Sequence, residues 1–154
     1  MNDDTITWNW RAFDALIAQE VYDILALRQS IFIIEQQCIY PDIDYKDKQS
    51  LHLLGKINNK LCAYLRLLPV NISYPNAISI GRVATATDMR GKGLGREAIK
   101  QTFHYLKNKN NTTPLIISAQ LYLKAFYASF GFQAVGDVYD EDGIPHIEMH
   151  KDFA

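Results

Sequence analysis

The chain has 154 residues, 48% of them hydrophobic and 21% charged, the composition of one folded domain with room for a proper core. No run approaches the roughly 18 apolar residues of a membrane span, and the acidic start, Met1-Asn2-Asp3-Asp4, leads into no apolar signal core, so a cytoplasmic protein is expected. Cys38 and Cys62 have neither a metal-ligand spacing nor the numbers for a disulfide framework, which leaves a Cys38 nucleophile served by His52 or His146 as a minor alternative.

Thr5 to Trp10 alternates like a strand. Phe13 to Arg28 reads as an amphipathic helix with Leu16, Ala18, Val21, Ile24, Leu25 and Leu27 on its apolar face. Ile31 to Glu35 continues as a second short helix. Cys38 to Gln49, with Pro41 and charges of mixed sign, reads as an irregular loop. Leu51 to Ile57 and Leu61 to Pro69 flank Asn58-Asn59, a hairpin signal. Ala77 to Thr87 is a further strand, and Leu94 to Leu106 a helix. Leu115 to Ala119, preceded by Pro114, suits a buried strand. A short helix then ends near Phe130, capped by Gly131, and Phe132 starts the next strand. Phe132 to Tyr139 and His146 to Lys151 form a closing pair around Asp142-Gly143 and Pro145. Early strands followed by strand–helix–strand–helix–strand predict an α/β (α+β) fold, a mixed central sheet with helices on both faces, in a single domain over 1–154.

The most informative stretch is Met89-Arg90-Gly91-Lys92-Gly93-Leu94-Gly95-Arg96. Three glycines on alternate positions allow a tight turn with no Cβ between the amides and a ligand. The amides that open the following helix lack intrahelical acceptors and sit at the positive end of its dipole. Arg90, Lys92 and Arg96 add charge, so the site suits a phosphate or pyrophosphate. A magnesium-dependent phosphate loop needs Ser or Thr after its Gly-Lys, and here Lys92 is followed by Gly93. A dinucleotide fold needs an acid about 20 residues on, and none occurs between Glu97 and Asp137. What remains, R-x-x-G-x-G over Arg90 to Gly95, resembles the pyrophosphate loop of the GCN5-related N-acetyltransferases (GNAT), which bind acetyl-CoA.

A second motif lies about 30 residues on, where Phe126-Tyr127-Ala128-Ser129-Phe130-Gly131-Phe132 spells F-Y-x-x-x-G-F. It resembles the last helix of the same family, in which the tyrosine at the place of Tyr127 often protonates the departing CoA thiolate. Gln120 stands where many members carry a pantetheine-contacting Asn, a methylene shorter. The block from Arg28 to Cys38, containing R-x-x-I-F-I-I-E-Q, and E-D-G-I-P-H over Glu141 to His146 resemble the ElaA-like acyltransferases within that superfamily. The resemblance spans nearly the whole chain. It implies the GNAT fold, with the strands matching Ala77–Thr87 and Leu115–Ala119 parallel and splayed. It also implies pantetheine contacts at Val83, Ala84 and Thr85, and cofactor contacts at Arg90, Gly91, Lys92, Gly93, Leu94, Gly95, Arg96, Gln120 and Tyr127.

Between Met89 and Phe132 the chain carries seven basic residues and one acidic, a local +6 against −7 elsewhere, which favours a polyanion such as CoA. No broad basic surface or base-reading motif points to nucleic acid. Amine acetylation needs a group that removes the ammonium proton, and Glu35, His52, Glu141 and His146 are the candidates. Glu35 ends the apolar run Ile31 to Ile34, where burial would raise its pKa. Arg28 and Arg82 either bind substrate or pair with nearby acids. Glu35, Asp42, Asp44 and Asp47, with Asp137, Asp140, Glu141 and Asp142, suggest an acidic rim that draws in a cationic amine. The expected activity is acetyl transfer, without a metal, from acetyl-CoA to the amine of a small molecule or peptide, directly in a ternary complex. Tyr127, Glu35, His146 and Glu141 are the candidate catalytic residues. A CoA-binding sensor or an acyl-CoA thioesterase carries the same motifs, and monomer and homodimer are equally compatible with the sequence.

Overall fold

Four strands run antiparallel in chain order: β1 (Thr7–Ala12), β2 (Leu51–Ile57), β3 (Lys60–Leu68) and β4 (Ser79–Thr85). The computed structural model to which they belong describes residues 5–153; the acidic start, Met1 to Asp4, lies outside the described residues. The β2–β3 turn is closed by Asn58 and Asn59 at φ 49° and 64°, the left-handed pair that matches the twist of a two-residue hairpin. β1 starts and ends later than its alternation suggested. Trp8 lies flat on Gly55, whose place any Cβ would contest at 2.6 Å from the indole.

The predicted helix from Phe13 is two elements. A single 3-10 turn, Phe13–Ala15, is followed by extended Leu16 and Ile17, and α1 begins at Ala18 (Ala18–Arg28). Glu20 decides the start, because its carboxylate accepts the Ile17 N–H at 3.1 Å and so caps the first turn. The second short helix is not separate from α1. Gln29 stays helical, and Gln29–Glu35 continues as a π-helix, a geometry common at functional sites.

α2 (Leu94–Asn108) buries Leu94, Ala98, Ile99, Thr102 and Leu106, a stripe at helical spacing. A second sheet follows, with strand order β5-β7-β6 from β5 (Leu115–Gln120), β6 (Gln133–Glu141) and β7 (Ile144–Lys151), and α3 (Lys124–Ala128) lies between β5 and β6. Asp142 and Gly143, at φ 52° and 83°, close the β6–β7 turn. Helices cover both faces as expected. Leu54 and Tyr64 pack beneath Ile24 of α1, while Leu53, Leu65 and Ile80 join Ile99 of α2 and Ile117, Ile147 and Met149 of the second sheet. The order of strands and helices is the one the sequence resemblance implies. No described helix is long and apolar enough to cross a membrane.

Among the described residues, one backbone bridge joins the two sheets. Ile78 and Leu115 form a parallel bridge, with Ile116 N–H on Ile78 O at 2.9 Å, and beyond it β4 and β5 pair with other strands and part. β4 also bulges. Leu65 has no partner in the β3–β4 ladder, and Arg82 sits at φ 55°.

The irregular loop Cys38 to Gln49 is held by ionic pairing. Buried Arg28 donates to Asp42 at 3.0 Å and Asp47 at 2.6 Å; Arg66 binds Asp44 at 2.8 and 2.6 Å and Asp47 at 2.9 Å; Arg82 binds Asp42 at 2.7 Å. Three guanidinium groups thus balance three carboxylates. The alternative that Arg28 and Arg82 pair with acids is the one the fold adopts, and three of the eight acids of the expected rim are thereby neutralised.

Candidate active site

A cleft of about 1190 Å³ opens where β4 and β5 part. The π-helix, the glycine loop, α3 and the β6–β7 turn all reach it. The end of the cleft beside the glycine loop is built by local sequence. Gly91 and Gly93 take φ 79° and 74°, conformations that L side chains rarely adopt, and a Cβ on either would meet nothing within 4 Å. The space above both residues is an open cradle. Gly93 is also the N-cap of α2, so the unpaired first amides of a 15-residue helix face the same end. Arg96 is fixed there, with its guanidinium carbon 4.7 Å from the Phe130 ring centroid and 5.5 Å from that of Phe126.

Of the predicted cofactor contacts, Val83, Ala84, Thr85, Arg90, Gly91, Gly93, Leu94, Gly95, Arg96, Gln120 and Tyr127 line this one cleft. Lys92 does not; it is exposed, with Nζ 4.0 Å from Met89 Sδ. Gln120 pairs its side-chain amide with Gln36 at 3.3 and 3.4 Å, which ties β5 to the end of the π-helix. Tyr127 is buried among Phe126 and Phe132, with ring centroids 5.1 and 5.8 Å away. Burial, helped by Tyr122, pushes its phenol up to about 12, so the proton stays on oxygen through the physiological range.

The acid–base candidates separate clearly. Glu35 is a correction: it is exposed, and Arg90 grips it through two bonds of 2.6 and 2.7 Å. The hydrogen bond and charge of Arg90 hold its pKa below the ordinary carboxylate value, the reverse of the expected rise. His52 lies outside the cleft and is buried, donating through one ring nitrogen to Asp47 O at 2.8 Å and accepting from the Tyr64 hydroxyl at 2.7 Å. Burial depresses its pKa, so it is a neutral structural link. Cys38 lines the cleft, but its thiol donates to Asp142 O at 3.1 Å rather than to a histidine.

His146 and Glu141 do come together in the cleft, with Nε2 3.2 Å from Oε2. His146 Nδ1 is 2.7 Å from Ile144 O, and a carbonyl only accepts, so Nδ1 carries a proton. Nε2 is therefore the ring atom turned to Glu141. Ser118 donates to the same Glu141 oxygen at 3.3 Å and also bonds the Tyr139 hydroxyl. Tyr74 belongs to this cluster: burial, then Tyr139, Glu148 and Glu141, raise its pKa, with Ser118 as a hydrogen-bond partner. Sequence reading missed Ser118, Tyr74 and Tyr139. Alternation along β5, which buries Leu115, Ile117 and Ala119, places Ser118 and Gln120 on the open face; Tyr74 has no comparable local signal. Among the described residues, no group of three or more His, Cys, Asp or Glu is placed to hold a metal ion.

Residues 22–153 match the family model described as an acetyltransferase (GNAT) domain. A UPF0039 protein of Synechocystis is 44% identical over 145 residues, covering 94% of both chains. Protein ElaA of Escherichia coli is 36% identical over 149 residues, covering 96% of this chain and 97% of ElaA. The ElaA crystal structure superimposes with a TM-score of 0.88, covering 96% of this chain and all of that one at 35% identity. That of an acyl-CoA N-acyltransferase from Pseudomonas aeruginosa gives 0.89 at 36% identity, covering 96% and 99%.

Proposed function

The chain belongs to the GNAT acetyltransferase family, as an ElaA-like acyltransferase, and from this premise we propose that it transfers the acetyl group of acetyl-CoA to a primary amine, directly and in a ternary complex. One observation carries the reading: the glycine cradle, the outer edge of β4 and the buried phenol of Tyr127 open into a single cleft. The α2 amides and Arg96 hold the pyrophosphate. Arg90 exchanges Glu35 for it. Val83, Ala84 and Thr85 lie on the edge of β4 that, among the described residues, has no strand partner past Ile78, so their backbone groups bind the pantetheine arm as a further strand does.

The amine nitrogen attacks the thioester carbonyl, the carbon–sulfur bond breaks, and the Tyr127 hydroxyl gives sulfur its proton. The His146–Glu141 pair takes the proton that the amine sheds. Holding both reactants in the gap between β4 and β5 supplies much of the rate. Acetyl-CoA offered with and without an amine library, with free thiol as the readout, tests the reaction. Amine-dependent release supports it; amine-independent release indicates a thioesterase, and no release a sensor.

The cradle has its own test. CoA at a hundredfold excess over Kd stabilises the protein by about 2.7 kcal/mol, a rise of roughly 5–11 °C in Tm for a chain of this length. Gly93→Val places a β-branched residue at φ 74° and is expected to abolish that rise. A folded Gly93→Val protein with an unchanged shift excludes the pyrophosphate assignment.

A further inference from the structure

Arginines neutralise Asp42, Asp44 and Asp47, so the cleft lining keeps Glu141 and Asp142 as acids without an arginine and Lys46 as a cation without a carboxylate among the described residues, two poles of opposite sign. One pole is Lys46. Its backbone N–H bonds Asp44 Oδ1 at 3.1 Å, and Arg66 locks that carboxylate with two further bonds. Tyr45, between them, is held at φ 65°, a strained backbone for an aromatic residue, with its ring 76% exposed. Lys48 lies over that ring at 5.7 Å. Lys46 instead lines the cleft, with Nζ 3.4 Å from Ser73 Oγ. Among the described residues no carboxylate lies within ion-pair distance of it, whereas Arg28, Arg66 and Arg82 each have two and Arg90 has one.

The other pole is Glu141, with His146 and Ser118 on its Oε2. The groups facing this pair are Tyr74, Tyr139 and Glu148, and Glu148 is itself bonded to His150 at 2.7 Å. Consecutive residues join the poles: Ser73 accepts from Lys46, and Tyr74 reaches Ser118 and Tyr139.

We propose that the acceptor is an amine that also carries an anionic group, its ammonium on Glu141 and His146 and its anion on Lys46. This rests on the acetyl-transfer reading above. A polyamine would set a second cation against Lys46, and a plain alkylamine would leave Lys46 unused. The cationic acceptor expected from an acidic rim is thereby replaced by a dipolar one.

The test offers ω-amino carboxylates of increasing chain length, the matching alkylamines and the matching α,ω-diamines with saturating acetyl-CoA, following thiol release and acetylated product. The best amino carboxylate is expected to exceed its alkylamine in kcat/KM by about tenfold or more, equal to about 1.4 kcal/mol, with the diamine below both. Lys46→Met keeps the aliphatic stem, and a preserved CoA-induced Tm shift shows that it folds. It should bring the ratio of amino-carboxylate to alkylamine kcat/KM down to about one or below, and Lys46→Glu should turn the order toward the diamine. A wild-type preference for the diamine, or a preference for the amino carboxylate that survives in Lys46→Met, overturns the proposal. Failure of the acetyl-transfer reading looks different, because no amine of any series then consumes acetyl-CoA, and this proposal falls with it.

Discussion

Tyr127→Phe is expected to lower kcat for acetyl transfer by about ten- to a thousandfold, up to the middle of the range for a positioned general acid. The hydroxyl belongs to a ring packed between Phe126 and Phe132, and phenylalanine keeps that packing. Affinity for CoA should therefore barely change. Burial raises the phenol to about 12, so in the proposed reaction it starts protonated and would give its proton only as charge develops on sulfur. Loss of the hydroxyl then falls on kcat rather than on binding. Wild-type kcat in a variant with intact CoA binding would show that water or another group protonates sulfur.

The largest expected loss of stability follows Arg28→Ala. Arg28 is fully buried, and its guanidinium lies between Asp42 and Asp47. Removing one partner of a buried ion pair leaves uncompensated charge and typically costs about 3–5 kcal/mol. For a chain of this length that is a fall of roughly 6–20 °C in Tm. An Arg28→Ala protein that melts within about 2 °C of wild type would mean that Arg66 and Arg82 carry the two carboxylates without it. The same network makes the fold acid-sensitive. Desolvation raises Asp44 and Asp47, but the hydrogen bonds and charges of Arg66 and Arg28 outweigh it and hold both below the ordinary carboxylate value. A depressed folded-state pKa contributes stability above the unfolded value of about 3.9 and loses it as pH falls through the folded one. Denaturant midpoints should be level near neutrality and fall below about pH 4. Midpoints that hold level to lower pH would show the pairs to be energetically idle.

What a short stretch of chain requires was legible in the amino-acid sequence. Asn58-Asn59 and Asp142-Gly143 predict tight turns because their residues tolerate left-handed backbone, and both close hairpins. Gly91 and Gly93 predict a turn with open space before the start of α2, since the left-handed backbone and the missing Cβ atoms are local, and the structure has both. The family assignment followed from the same motifs. Charge pairing was legible only as an alternative for Arg28 and Arg82, and the identity of the partners was not legible at all. Arg28 finds Asp42 and Asp47 from 14 and 19 residues away, Arg82 finds Asp42 from 40, and Arg90 finds Glu35 from 55. Each pair exists only because the sheet, α1 and the π-helix bring those side chains together. Read along the chain, Asp42, Asp44 and Asp47 are free acids and Glu35 is the end of an apolar run; folded, all four are counter-ions with depressed pKa or direct arginine partners. The split between β4 and β5 decided the rest, because it opens one cleft to Tyr127 on α3, Ser118 on β5 and His146 on β7. Burial and Coulomb interactions act through space, so they were set by which strands part and which meet.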